Sequence, residues 1–289
     1  MKKAKILRNL LEQREIIVAP GVYDAFSAKM VEHAGFAVSF ITGAGVSASL
    51  LGEPDVGLVT MTEQVTQAAY IANAVNIPIL ADADTGYGNP MNVIRTVKEF
   101  ERAGVAGVMI EDQEIPKRCG HLEGKRIISK SEMTQKIKAA IDSRQDIDFI
   151  IIARTDARAV HGLEAALERG YAYVEAGADM LFIESPVSLD EIRKIGGAFS
   201  LPLILNMGGK KTPNISASEA EKLGYKMIVF PGDIQRAGGK AMLDTLKFLK
   251  ETGNTKSIQD RMLSFDERFE LLGLKEYFKK EERFLSYDE

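Results

Sequence analysis

The sequence predicts a single (β/α)8 barrel of the TIM type, and three observations carry that prediction. A helix-like stretch ending in a small or apolar residue plus glycine leads into an apolar run four times: Ala34-Gly35 before 37–41, Ala103-Gly104 before 105–110, Ala176-Gly177 before 180–183, and Leu223-Gly224 before 227–230. Glycine just past a helix end, followed by a near-continuous apolar strand, is the junction expected in a parallel sheet. Four further apolar runs, 16–19, 77–81, 149–153 and 201–205, bring the strand count to about eight. The alternation is not broken by any Ser/Gly/Pro-rich linker, which favours one closed barrel over a doubly wound open sheet.

Taken in order, the chain opens with residues 1–13, where lysines and Arg8 break up any apolar stretch of signal-peptide type. Runs 77–81 and 201–205 carry prolines, Pro78 and Pro202, near their starts. The intervening segments read as amphipathic helices. Four of them open on a capping-box pattern: Thr60 with Glu63, Ser129 with Glu132, Ser188 with Glu191, and Ser216 with Glu219. Residues 257–284 read as charged helix, but Leu263, Phe265, Phe269, Leu272, Leu274, Tyr277 and Phe278 still need cover. The expectation is one domain over 1–289, with the helices of 241–289 contributing to contacts between subunits.

Composition narrows the function. The 289 residues are 45% apolar, enough for a large core, and 37 Lys+Arg against 41 Asp+Glu leave a net charge of -4. There is no basic excess of the kind that phosphate backbones require, so nucleic acid is not expected as a partner. No run approaches a membrane span, and a cytoplasmic location is expected. The one cysteine, Cys119, cannot form an internal disulfide. It is an inert packed thiol, a dimer cross-link or a reactive group.

In a barrel the chemistry sits where strands end, so the polar residues after each apolar run are the candidates. They are Thr42-Gly43-Ala44-Gly45, Asp82 and Asp84, Glu111-Asp112-Gln113, Arg154-Thr155-Asp156, Glu184 and Asn206. Asp82 and Asp84, two apart on a strand end, are expected on the same side and roughly 6 to 7 Å apart. With Glu111 they form an acid cluster. Such a cluster is either a set of solvated loop acids or the oxygen-only cradle of Mg²⁺ or Mn²⁺, and the convergence of strand ends favours the metal. Around Cys119, the cations Lys117, Arg118 and His121 would favour the thiolate, and Gly120 would let the loop close over a ligand. Arg154 and His121 could bind carboxylates, although Arg154 could equally be the structural partner of a barrel acid. Gly43-x-Gly45 lacks the acidic partner of a dinucleotide site.

These residues resemble the isocitrate lyase and phosphoenolpyruvate mutase superfamily, in its short 2-methylisocitrate lyase branch. The resemblance spans nearly the whole chain. It is carried by P-G-V-Y-D-A at 20–25, D-A-D-T-G-Y-G at 82–88, I-E-D-Q at 110–113, K-R-C-G-H at 117–121 and A-R-T-D-A at 153–157. The K-R-C-G-H sequence is the most specific, because the carbon-carbon lyases of that superfamily carry it on a mobile loop.

The resemblance implies that Asp82 and Asp84, with Glu111 and Asp55 through water, hold Mg²⁺, and that Thr42, Gly43 and Ala44 cradle a pyruvyl moiety. It implies Cys119 as general acid/base, with Arg154, His121, Glu184, Asn206 and Gly120 lining the substrate site. It further implies a barrel whose last helix is exchanged between subunits, usually in a homotetramer built as a dimer of dimers.

The chain departs from the family pattern in three places. Thr42-Gly43-Ala44 replaces Ser-Gly-Gly, Phe40 stands where methylisocitrate lyases usually have Tyr, and N-M-G-G-K-K-T-P at 206–213 lacks the acid that commonly follows the asparagine. The expected activity is cleavage of a 2-hydroxy di- or tricarboxylate, with 2-methylisocitrate giving pyruvate and succinate placed first. The alternatives are phosphonate chemistry of the carboxyvinyl-carboxyphosphonate phosphorylmutase type, cleavage of 2,3-dimethylmalate or oxaloacetate, and, last, an inactive binding homologue.

Overall fold

In the computed structural model, which describes residues 2–120, 122–209 and 211–285, eight parallel strands close into a barrel in sequence order. They are β1 (Ile17–Val22), β2 (Ser39–Ile41), β3 (Ile79–Asp82), β4 (Gly107–Glu111), β5 (Ile150–Thr155), β6 (Met180–Ile183), β7 (Leu203–Asn206) and β8 (Met227–Phe230). Closure is made by β1, which pairs with β2 through Gly21 and Phe40 and with β8 through Ile17 and Met227.

Each strand is buried on both faces, and alternate residues divide between two cores. Ile17, Ala19, Phe40, Leu80, Met109, Ile150, Ile152, Met180, Phe182, Ile204, Met227 and Val229 fill the barrel. Their neighbours Ile79, Ala81, Val108, Ile110, Ile151, Ala153, Leu181, Leu203 and Ile228 face the helices.

Those helices begin with α1 (Lys3–Glu12), α2 (Ala25–His33), α3 (Gly43–Val46), α4 (Met61–Ala74), α5 (Pro90–Ala103) and α6 (Lys130–Ser143). They continue with α7 (Ala157–His161), α8 (Leu163–Glu175), α9 (Leu189–Ala198) and α10 (Ala217–Lys222), after which the chain runs on into α11 (Asp233–Thr252). A one-turn π segment, Ser47–Leu51, follows α3. The first helix was not read from the sequence. Its Ala4 and Leu7 join the interior cluster with Ile17, Ala19 and Met227, so α1 plugs one end of the barrel.

The expected junction glycines are left-handed, with φ of 84° at Gly35, 89° at Gly104, 99° at Gly177 and 94° at Gly224. Two of the four capping boxes form in full, at Thr60 with Glu63 and at Ser216 with Glu219. At Ser129 and Ser188 only the serine caps; at Ser188 the Glu191 carboxylate goes instead to Arg158 and to the amide of Val187.

The chain divides into two compact units, Met1–Ile234 and Gln235–Glu289. The second unit holds most of α11, a 3-10 turn Lys256–Arg261, α12 (Phe265–Leu271) and α13 (Leu274–Leu285). Several of its apolar side chains are open, with Phe265 76% exposed and Tyr277 66%, whereas Ile258 is buried. Among the described residues, no helix is long and apolar enough to cross a membrane.

Candidate active site

The C-terminal ends of the strands bring the candidates onto one rim. Asp82 ends β3, Glu111 ends β4, Arg154 and Thr155 end β5, and Asn206 ends β7, while Thr42 and Glu184 stand one residue beyond β2 and β6. All seven are buried. Thr42 caps α3 by accepting from the amide of Gly45. Gly43 lies so close to the acids that a Cβ there would sit 2.9 Å from Asp82 Oδ2 and 3.4 Å from Asp84 Oδ1.

The two aspartates meet for a different reason from the one the sequence suggested. Strand β3 ends at Asp82, and Asp84 lies beyond it with φ of 46°, so strand alternation does not orient it. A local turn does, in which the Asp84 amide donates to Asp82 Oδ1 at 3.0 Å.

Burial pushes the Asp82 carboxyl up against the pull of Lys117 and Arg154, and pushes that of Asp84 up to about 6. Glu111, under the same burial, is held well above the usual carboxylate range, and its Oε1 has no hydrogen-bond partner. An acid group of this kind is short of positive charge.

Part of that charge comes from Lys117. Its Nζ is 2.5 Å from Asp55 Oδ1 and 2.6 Å from Asp84 Oδ1. The second approach is an ion pair without a well-directed hydrogen bond, since Asp84 Oδ1 has none. Burial pulls the ammonium down, but Asp84, Glu111, Asp82 and Asp55 outweigh it and hold Lys117 well above the ordinary lysine value. The expected role of Lys117 as a thiolate-stabilising neighbour of Cys119 is therefore corrected: its charge is committed to the acids. Arg118 donates to the Glu123 carbonyl instead. His121 lies outside the described residues.

Arg154 is held by three acids. Its Nε and Nη2 donate to Asp156 at 3.0 and 3.2 Å, with Glu111 Oε2 at 3.3 Å and Glu184 Oε2 at 3.5 Å. The guanidinium also lies 5.4 Å from the centre of the Phe182 ring. Of the two roles open to it in the sequence, partner of barrel acids is thus present in the fold. Asn206 Nδ2 faces both oxygens of Glu184 at 3.4 Å, which leaves its buried Oδ1 without a partner.

The segment carrying Cys119 is seated in this site. The Cys119 amide donates to the Asp55 carbonyl at 3.0 Å. Gln113 grips the backbone of Arg118 from both sides, donating to its carbonyl and accepting from its amide. Gly120 packs so tightly that a Cβ would lie 2.6 Å from Arg154 Nη2 and 2.8 Å from Glu184 Cδ. Among the described residues, no group of three His, Cys, Asp or Glu side chains is arranged to hold a metal ion.

Comparison with known proteins identifies the family. The family model described as phosphoenolpyruvate phosphomutase matches residues 7–250. The chain belongs to that family. Within the family it is 48% identical over 275 residues to a 2,3-dimethylmalate lyase from Eubacterium barkeri, covering 95% of each chain. It is 44% identical to a 2-methylisocitrate lyase from Aeropyrum pernix, covering 96% of this chain and 89% of that one. A solved phosphonopyruvate hydrolase, in complex with oxalate and Mg²⁺, superimposes with a TM-score of 0.91 at 30% identity, over 99% of this chain and 100% of that one.

Four buried groups of this family member were not assigned a role from sequence: Tyr87, Asp112, Lys125 and Asp156. Tyr87 OH is buried near the aspartates without a partner, and burial lifts it well above the ordinary tyrosine value. Asp112 accepts from Thr155 Oγ1, the Asp156 amide, Arg169 and Tyr173 OH. Asp112 and Asp156 stand inside motifs quoted above, but only the fold shows which groups they pair with.

Proposed function

We propose that the protein is a divalent-metal-dependent lyase that breaks the C2–C3 bond of a 2-hydroxydicarboxylate, of which 2,3-dimethylmalate is the type, releasing pyruvate. The observation that carries the proposal is the seating of the 117–120 segment: Lys117 is fixed among Asp55 and Asp84, and Gly120 lies against Arg154 and Glu184. Cys119 is thereby held between two anchored points over the acid cluster.

The sequence placed 2-methylisocitrate, a tricarboxylate, first; two observations support putting the dicarboxylate ahead of it in this proposal. Lys117, Lys125 and Arg154 each already face a carboxylate, which favours a substrate with fewer negative groups. The 48% full-length likeness to the 2,3-dimethylmalate lyase points the same way. 2-Methylisocitrate stays as the second reading, supported by the Aeropyrum relative.

The donor set fits Mg²⁺, with Mn²⁺ as a substitute. Asp82, Asp84, Glu111 and Asp55 offer only oxygen, burial lifts the first three, and Glu111 Oε1 is unpartnered. Asp82 and Asp84 would hold the ion, with Glu111 and Asp55 acting through water, and the solved hydrolase neighbour has Mg²⁺ bound. When bound, the ion supplies Lewis acidity that makes the substrate hydroxyl more acidic and steadies enolate-like charge.

The remaining work falls to the chain. Gly43 leaves room for the substrate beside the aspartates, and Asn206 Oδ1 and Glu184 border the departing half. The hydroxyl proton passes to the acid group, and the C2–C3 electron pair goes to the carbon next to the leaving carboxylate. Cys119 Sγ protonates that carbon, and the seated loop keeps water away. In the second unit, the exposed Phe265, Phe269 and Phe278 suit the subunit contacts of a homotetramer, which light scattering would measure.

The test is an Mg²⁺ assay that reads pyruvate from 2,3-dimethylmalate and 2-methylisocitrate, glyoxylate from isocitrate and oxalate from oxaloacetate, each with an EDTA control. EDTA-sensitive release from 2,3-dimethylmalate supports the proposal. Release from 2-methylisocitrate alone would move the substrate to the second reading, and silence with all four would overturn the lyase assignment.

A further inference from the structure

The seating of the cysteine segment depends on a lysine outside the K-R-C-G-H motif. Lys125 is buried, with 2% of its side chain exposed. Its Nζ donates to the Gly120 carbonyl at 2.5 Å and to Asp156 Oδ1 at 2.7 Å. Asp156 is the carboxylate that holds Arg154 through two hydrogen bonds, and Ser185 Oγ reaches the same Gly120 carbonyl at 3.4 Å. One ammonium therefore ties the peptide next to Cys119 to the acid that orients the site arginine. We propose that Lys125 and Asp156 form a latch, in which Lys125 is a positioning residue that sets where Cys119 stands relative to Arg154.

The surroundings are built to keep this latch rigid. The base of the loop is pinned by an antiparallel bridge between Gln113 and Ile127 and by the Glu114 amide on the Arg126 carbonyl. Asp156 is turned inward by Asp112 Oδ1, which accepts from its amide at 2.9 Å. Asp112 Oδ2 in turn accepts from Thr155, Arg169 and Tyr173.

A buried lysine must keep a partner or pay a large desolvation penalty. When the segment unseats, Lys125 has to give up Asp156 or the Gly120 carbonyl, so opening is opposed by the cost of leaving one buried polar group unpaired. Charge-assisted hydrogen bonds, unlike an apolar contact, also fix direction. A guanidinium at position 125 could still donate to both acceptors, but a thioether has no proton to donate to either.

The consequence for turnover rests on the lyase reading, whereas the seating itself does not, so the test reads the seating without substrate. Cys119 is the only cysteine and is partly exposed while the segment is seated, so it is the rise in its N-ethylmaleimide alkylation rate over that of the full-length parent protein that reports opening of the segment. Lys125→Met should raise that rate at least 10-fold, and Lys125→Arg should stay within 3-fold of the parent protein. Once a substrate is in hand, Lys125→Met should lower kcat 10- to 100-fold with little change in KM, and Lys125→Arg should recover most of the loss. Parent-like alkylation in a folded Lys125→Met protein overturns the latch.

If Lys125→Met does not fold, hydrogen exchange of the parent protein decides the question. The amides of Glu114, Arg118, Cys119 and Leu122 are hydrogen-bonded and should exchange at least 100-fold more slowly than in an unstructured peptide, whereas exchange at the free-peptide rate refutes the seating. Faster alkylation with no turnover of any carboxylate would leave the latch standing and remove the lyase. Pyruvate release by the parent protein together with an unchanged alkylation rate in the variant would do the reverse.

Discussion

Adding one methyl group at Gly120 should separate the cysteine segment from the arginine site. Gly120 is not among the left-handed glycines, so Gly120→Ala meets no backbone penalty and its effect is steric. The new Cβ would stand 2.6 Å from Arg154 Nη2, 2.8 Å from Glu184 Cδ and 3.0 Å from Glu184 Cγ. Ordinary contact needs about 3.5 Å or more, so something must move by roughly 1 Å. Arg154 cannot yield, because Asp156 grips it twice and Glu111 and Phe182 flank it. Glu184 is held by Ser185 Oγ at 2.8 Å and faced by Asn206. The loop is what gives, carrying Cys119 with it.

A misplacement of about 1 Å costs on the order of 100-fold in rate, equivalent to about 2.7 kcal/mol of barrier. The assay is kcat and kcat/KM for pyruvate release, beside a thermal melt of the same preparation. The expected result is a loss of about two orders of magnitude in kcat, with little change in the melting temperature because the displaced segment supplies no side chain to either apolar core. Activity within a factor of three of the parent protein would refute the steric argument. A comparable loss of activity with a collapse in melting temperature would show instead that Gly120 supports the fold.

Three other substitutions test separate parts of the reading. Cys119→Ser should lower kcat by about 10² to 10⁴ while leaving Mg²⁺-dependent binding of oxalate, measured by calorimetry, close to that of the parent protein; unchanged turnover would remove Cys119 as the proton donor. Asp112→Asn should cost about 3 to 5 kcal/mol of stability in denaturant unfolding, because Arg169 loses its buried partner, and a loss under 1 kcal/mol would mean that the cluster is not a unit. Glu191→Gln tests a surface pair through pH. The two hydrogen bonds from Arg158, opposed by partial burial and aided by the Val187 amide, hold the Glu191 carboxyl below its ordinary value. Its stabilisation is therefore present above the unfolded-state value and is lost as pH falls through the lower folded-state value. Glu191→Gln should be about 1 kcal/mol less stable at pH 7 and should converge on the parent protein below about pH 4; a gap independent of pH would show that the carboxylate charge is not the source.

The sequence by itself determined the barrel and its rim. Apolar runs of strand length, glycine at helix ends and the absence of a linker are local signals, and they do not depend on which distant residues meet. For that reason β6 and β8 fall on their expected residues, and Asp82, Glu111, Arg154, Glu184 and Asn206 lie on one rim.

Tertiary structure decided how the charges are shared. Lys117 stands two residues from Cys119 in the chain, but its ammonium goes to Asp55 and Asp84. Lys125, Asp156, Arg154 and Gly120 form one connected set that no spacing rule contains. The α1 plug was likewise unreadable, since Ala4 and Leu7 look like an ordinary amphipathic start until the barrel end they fill exists. Local periodicity fixes where a side chain stands along its own element, whereas the pairing of a buried charge is settled by desolvation against every neighbour that packing brings near. That sum is available only once the whole barrel has closed.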